Sequence, residues 1–369
     1  MKYTLALLLI IFTTISLGCT DSGEKNDAPE TKEATPEKPK PTDDATALNA
    51  LDELGVQFKK DADGLVIEAD FRGLEFDNDK LAHLADLTRI RSVKINDTNV
   101  RDDAMAFLAK ATTIVDVDIR GCPVSNDGIA NLKPLQLRAL RMNGVDGDCT
   151  VDDGAMETVA TFTELRALFL DGLFIGVEGI EKLTVLPNLS ELYLARTLVG
   201  DETMSVLAKI PTLKKLRLSQ TQLSDIGLAD LAKLENLEDL DVSENSQIFD
   251  AGLEHLSGIS SLKRLNLWRV QIGDPGVEHL APLTNLEWLN LDNTLLSDSG
   301  LPALANMQKL TFLHLGSTTV SDTGLQHLEG LTQLEELMVT RTAVTEDGAA
   351  SLQEHLKNTK IQLKYLGDE

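Results

Sequence analysis

The feature that most constrains this chain is a repeat. The stretch Leu310 to Gln333, LTFLHLGSTTVSDTGLQHLEGLTQ, returns in recognisable form along most of the sequence. Its first part places Leu310, Leu313 and Leu315 with the alternation of a half-buried strand, and its last part spaces Leu325, Leu328 and Leu331 like one face of a short helix. Between them Ser321-Asp322 reads as a helix N-cap. A unit this short cannot bury its apolar face alone, so neighbouring copies must supply the other side of the core.

The register can be counted without a gap. Repeats begin at Val66, Ile90, Ile114, Leu137, Leu165, Leu189, Leu213, Leu237, Leu262, Leu286, Leu310 and Leu334. That makes twelve copies spaced by 24 residues, with departures to 23 after Ile114, 28 after Leu137 and 25 after Leu237. Residues 44–65 are expected to cap the first repeat, through a helix carrying Leu48, Leu51 and Leu54 and a short strand at Val56 and Phe58. Repeats then occupy 66–348. A C-terminal cap over 349–369 combines a longer helix, with Leu352 and Leu356, and a closing strand alternating Ile361, Leu363 and Tyr365.

What precedes the cap is of another kind. Lys2 stands before the apolar run Leu5 to Leu17, which is too short to span a bilayer comfortably. The run ends in Leu17-Gly18-Cys19, so residues 1–18 resemble a bacterial lipoprotein signal and Cys19 the lipid attachment site. Residues 19–43 are rich in Pro, Glu, Lys, Thr and Asp and read as a disordered tether. The expected location is the cell envelope, lipid-anchored and facing the periplasm or the exterior.

The repeat as it stands in LKKLRLSQTQLSDIGLADLAKL, from Leu213, has the pattern L-x-x-L-x-L-x-x-T-x-V-x-D-x-G-L-x-x-L-x-x-L. In this it resembles the leucine-rich repeat proteins, over residues 66–360. Its Thr, Cys and Asp-x-Gly-Leu positions are more similar to the cysteine-containing subclass than to the asparagine-ladder subclass. The resemblance implies an α/β fold: a right-handed, horseshoe-like solenoid with a parallel concave sheet and short convex helices. It also implies a binding module, mostly for proteins, and no chemistry.

Charge narrows the partner. A formal net charge of -25 argues against nucleic acid, which needs clustered Lys and Arg, and favours a basic protein partner. Only 4% of residues are aromatic, so the core must be aliphatic and any grouping of aromatics calls for another explanation.

Within each repeat the third, fifth and seventh residues alternate with buried leucines and point into the concavity, and each position forms a row at about 4.8 Å spacing. In the fifth row Asp70, Lys94, Asp118 and Arg141 alternate in sign, which reads as a surface ion-pair ladder. Further along that row Phe169 and Tyr193 are consecutive; Trp288 and Phe312 are consecutive in the third row, and Trp268 lies in the seventh. Around the tryptophans stand Arg264, Asn266, Arg269, Asn290, Asp292 and His314. These residues are the expected partner-binding surface. The competing reading is that adjacent aromatics cover one another and stiffen the sheet.

Other constellations are weaker. Cys122 and Cys149 occupy the same inward position in adjacent repeats, where they either form a disulfide or fill the threonine slot as thiols. The insertion near Val145 gathers Asp146, Asp148, Asp152 and Asp153, a weak calcium candidate whose spacing is not that of an EF-hand. His83, His255, His279, His327 and His355 fall on the convex helices without further ligands, so no metal site is expected. His314 with Asp292 is the nearest approach to a catalytic pair and lacks a third member. No enzyme activity, cofactor or oligomer is expected, and the membrane is reached through the N-terminal lipid only. An envelope spacer and a carbohydrate binder, the latter through Trp268 and Trp288, are the alternatives to a protein-binding module.

Overall fold

The computed structural model describes residues 41–145 and 148–364. The leader 1–18, Cys19, the tether as far as residue 40, Asp146 and Tyr365 lie outside the described residues. Fourteen strands stand side by side in chain order. The first, Gln57–Lys60, pairs antiparallel with Val66–Asp70, and every later strand runs parallel to the one before it, ending at Lys360–Gln362. The repeat strands from Ser92–Lys94 to Glu336–Met338 each begin at the third residue of a repeat as counted in the sequence. Short helices such as Asp201–Leu207 and Asp225–Leu231 return the chain, and the last, Glu346–His355, is the longest at 10 residues. No helix among the described residues is long and apolar enough to cross a membrane.

The first helix, Ala45–Glu53, is capped by Asp44, whose carboxylate accepts from Thr46 N and Ala47 N at 2.8 and 2.9 Å. Asp43, placed by the sequence at the end of the tether, already belongs to the folded unit. Its carboxylate accepts from Val66 N and Thr88 N, both at 2.8 Å, and so ties the cap to both ends of the first repeat.

Leucines at equivalent positions form the core: Leu265, Leu289, Leu313 and Leu337 are each fully buried. The slot three residues after each inner strand leucine holds a short donor. Thr98, Thr197, Thr294 and Thr318 each donate to the backbone carbonyl three residues earlier, at 2.6 to 2.8 Å. Cys122 does the same job from the next repeat, its thiol donating to Ile95 O at 3.0 Å. Of the two readings of the cysteines, the disulfide is not found and the buried thiols are: Cys122 and Cys149 are both buried and free. The reason is directional, because the Cys122 sulfur is turned back toward Ile95 and Thr98 in the preceding repeat, while Cys149 follows it. Burial pushes both thiols above the usual range.

The Asp-x-Gly pair has a different role from the capping one expected. Ser321 is the N-cap and accepts from Thr323 N, whereas Asp322 reaches into the following repeat and accepts from Thr345 N and Oγ1 at 2.8 and 2.7 Å. The same bridge joins Asp201 to Ser224, Asp274 to Ser297 and Asp298 to Ser321. In the next repeat the glycine stands against that carboxylate. A Cβ on Gly128, Gly179, Gly227, Gly252, Gly276, Gly300, Gly324 or Gly348 would come within 2.7 Å of an aspartate oxygen of the repeat before. The motif is thus an inter-repeat joint: a carboxylate that holds the next loop, and a missing side chain that leaves room for it.

Candidate functional site

The three concave rows are in the register that the sequence count requires. Arg264, Trp288 and Phe312 are paired across adjacent strands, as are Asn266, Asn290 and His314. The third-row residues form one stack. The Arg264 guanidinium lies 3.5 Å from the centre of the Trp288 ring, and on the other side Phe312 lies at 4.9 Å and 5° from parallel. Phe169 and Tyr193 stack likewise at 4.0 Å and 7°, with Arg141 at 5.2 Å beyond Phe169. So the rings do cover one another, and Trp288 and Phe169, each flanked on both sides, offer a partner their edges rather than their faces. Trp268 is half-buried, with the Arg269 guanidinium 5.1 Å from its ring. Arg269 has a left-handed backbone, φ 57°, and also meets Glu244 at 3.2 Å.

Asn266 and Asn290 use their side-chain oxygens to accept from Trp268 N and Asp292 N two residues on, at 3.2 and 2.9 Å. That brace fixes the strand ends that carry the seventh-row residues. The Phe312 ring meets the edge of His314 at 6.4 Å. Burial holds the His314 pKa below its ordinary 6.5, against the opposing pull of Asp292 and Glu336, the charged groups that face it; Glu336 is itself paired with Lys360 at 3.0 Å. The sign of the linkage follows. Above about pH 6.5 the ring is neutral in folded and unfolded chains alike; as pH falls below that, the unfolded chain takes up the proton first and stability declines. Unfolding midpoints measured from about pH 8 to pH 5 should therefore fall more steeply for the native chain than for His314→Gln.

Sequence reasoning did not join the two aromatic groups. Between them the strands Lys215–Arg217 and Asp239–Asp241 form the floor of a depression that runs from Tyr193 to Arg264 and Asn266. Arg217 there bridges Asp171 at 2.9 Å and Asp241 at 3.4 Å, and Arg264 reaches Asp239 at 3.7 Å. Burial raises the pKa of Asp171 and of Asp239, each opposed by its arginine. The signal was available, since Arg217, Asp239 and Asp241 occupy the same two rows.

The fifth-row ion ladder is corrected. Asp70 pairs with Arg72 and Asp118 with Arg120, just past the ends of their own strands, both at 2.6 Å. Lys94 turns to Glu68, and Arg141 to Asp116. Each of these aspartates is taken by an arginine two residues on, which forks onto both of its oxygens. The acidic insertion is largely spent on structure: Asp152 accepts from Asn126 Nδ2 and Gly154 N, and Asp153 from Gly176 N, while Asp148 is exposed. Among the described residues no three His, Cys, Asp or Glu side chains gather as a metal site would need.

The sequence pattern of the Leucine Rich repeat family matches residues 209–232 and 306–328. The repeat pattern and the fold together are those of leucine-rich repeat proteins. Among solved structures it is similar to an internalin, InlF, from Listeria monocytogenes, at 18% identity and a TM-score of 0.60 over 87% of this chain and 94% of that one. It is also similar to TLR13 in its complex with ssRNA13, at 17% identity and a TM-score of 0.57, over 81% of this chain but only 43% of that one. At these identities the likeness is one of fold. No curated protein matches the sequence. The leucines repeated in each unit build the solenoid, while the residues of the concave rows vary from repeat to repeat.

Proposed function

We propose that this leucine-rich repeat protein is a membrane-tethered, extracytoplasmic binding module that holds a protein partner on its concave face. The observation that carries the reading is the Arg264–Trp288–Phe312 stack, whose Arg264 also lines one end of the Tyr193–Arg264 depression. The aliphatic core has no need of these side chains, and Arg and Trp set rigidly in an open surface are what interfaces use as anchors. The net charge of -25 favours a basic partner. Tethering is supported by Leu17-Gly18-Cys19 and the polar segment after it. A carbohydrate partner is less favoured, because sugar rings stack on free aromatic faces and both faces of Trp288 are taken.

The test is capture by the immobilised full chain from an envelope extract of the cells that make it. A specific protein should be retained at low salt and progressively released toward about 0.5 M, where charges beyond a few ångströms are screened. Retention of glycan but of no protein would contradict the reading.

A further inference from the structure

The two rims of the solenoid differ in charge. Because the repeat strands run parallel, every helix-to-strand turn lies on one rim and every strand-to-helix turn on the other. The strand-to-helix rim carries the Asp-x-Gly carboxylates. The other rim is basic over half its length. Its turns at 84–91, 108–115, 132–138, 160–166, 184–190 and 208–214 hold eight Lys or Arg and two acidic residues, Asp86 and Glu164, in a chain with 34 Lys and Arg against 59 Asp and Glu. At the strand entries the cations form a row. Arg91, Arg138, Arg166 and Lys214 hold the second position of their repeats, joined through Val115 and Ser190 by successive backbone hydrogen bonds. At sheet spacing that row is about 24 Å long. Arg91, Lys133, Arg138, Arg166 and Lys209 are exposed and enter no ion pair among the described residues. Val185, 67% exposed, stands in the turn between those of Arg166 and Lys209.

Helix ends alone do not account for this. A cation just past a helix C-terminus is favoured by the helix dipole, which covers Lys133 and Lys209. The strand-entry residues are not at helix ends. Along the far half of the same row that position holds Glu238, Glu287 and Glu335, and Lys263 there is paired with Glu238 at 2.7 Å. The basic half is also the half at which the chain from Cys19 joins the fold. Asp43 accepts from Thr88 N at 2.8 Å and from Thr88 Oγ1 at 3.0 Å, and Asp44 N donates to Asp86 O at 3.2 Å, all in the turn that leads to Arg91.

We infer that this basic half-rim rests on the anionic phospholipid headgroups of the membrane that, on the tethering proposed above, holds Cys19. Headgroup phosphates suit unpaired Lys and Arg, whose apolar stems lie along the interface while their heads meet the phosphates. The membrane is then met by the rim as well as by the lipid. A lipid chain holds the protein near the bilayer, and the rim fixes which way it faces. Docked so, the acidic rim points away and the concave sheet stands open to a partner from the side. A soluble polyanion would have to reach this rim against a net charge of -25, whereas a tethered membrane is already beside it.

The test uses the full chain with a fluorophore on Val185→Cys, added to vesicles of phosphatidylcholine alone or with about one-third phosphatidylglycerol. Each vesicle contains a lipid with a nitroxide headgroup as a short-range quencher. Cys122 and Cys149 are buried, and the parent chain treated alike gives the background. Ile226→Cys, on the opposite rim and 76% exposed, is the control. The Val185 probe should be quenched on the anionic vesicles and little on the neutral ones, and the Ile226 probe on neither. Salt at about 0.5 M should remove the quenching. Arg138→Gln with Arg166→Gln should lower the ratio of docked to undocked chain about twentyfold. Equal quenching at both sites, a Val185 signal indifferent to phosphatidylglycerol, or one undiminished in the arginine variant would each overturn the inference. So would a Val185 probe silent on both vesicles that answers an RNA homopolymer, which would give the rim to a soluble polyanion. Flotation with the neutral vesicles reads the tether separately. A chain that floats with both vesicles but shows no Val185 quenching sinks the rim inference alone. One that fails to float with neutral vesicles, yet is quenched at Val185 on anionic ones, sinks the tethering and supports the rim.

Discussion

Gly227→Ala is expected to destabilise the solenoid by about 2 kcal/mol. Helix propensity predicts the opposite sign. Gly227 lies in the helix Asp225–Leu231, where alanine is ordinarily better than glycine by about 1 kcal/mol. What reverses the sign is the joint with the preceding repeat. The new Cβ would stand 2.5 Å from Asp201 Oδ1, 2.5 Å from Leu223 Cδ1 and 3.0 Å from Met204 Cγ. The carboxylate cannot swing aside freely, since it accepts from Ser224 N at 2.8 Å and Gly227 N at 3.1 Å and from the Ser224 hydroxyl. Asp201→Ala should itself cost about 1 to 3 kcal/mol by leaving those donors unmet. Because one contact is shared, the double variant should lose less than the two single losses combined. Gly258→Ala is the control: its Cβ would meet nothing within 4 Å, so the substitution should be neutral or mildly stabilising. Chemical denaturation followed by far-ultraviolet circular dichroism reads all four. A Gly227→Ala protein as stable as its Gly258→Ala counterpart would show that the joint carries no energy.

That joint marks where sequence reading stops. The strand positions and the three concave rows were legible because leucine spacing fixes register, and a one-residue slip would expose every leucine. The role of Asp-x-Gly was not legible. A serine followed by an aspartate before a helix is a sound capping signal, and Ser321 does cap; that Asp322 instead serves Thr345 in the next repeat depends on stacking that a single unit does not contain. The same limit applies at the candidate site. Trp268, Trp288 and Phe312 could be placed on the concave face by counting, but not whether their faces were free. The stack on Trp288 arises because Arg264 and Phe312 happen to flank it in register at sheet spacing.

Trp268→Ala combined with Trp288→Ala is expected to lower partner affinity by two orders of magnitude or more. Anchor residues of this kind are each worth about 2 kcal/mol or more, and each 1.4 kcal/mol is a factor of ten. The fold should survive. Both tryptophans are half-buried on the sheet surface, and the loss of stacking costs about 1 kcal/mol against a core of buried leucines that neither ring enters. The variant should therefore keep a cooperative unfolding transition.

The most direct measurement of the central claim is parallel capture from the same envelope extract by the native chain and by the Trp268→Ala/Trp288→Ala chain, with both first shown to be folded. A concave binding site predicts a protein retained by the native chain and absent from the variant. Equal retention by both would contradict it, and would place the binding surface somewhere other than the concave face of repeats 262, 286 and 310.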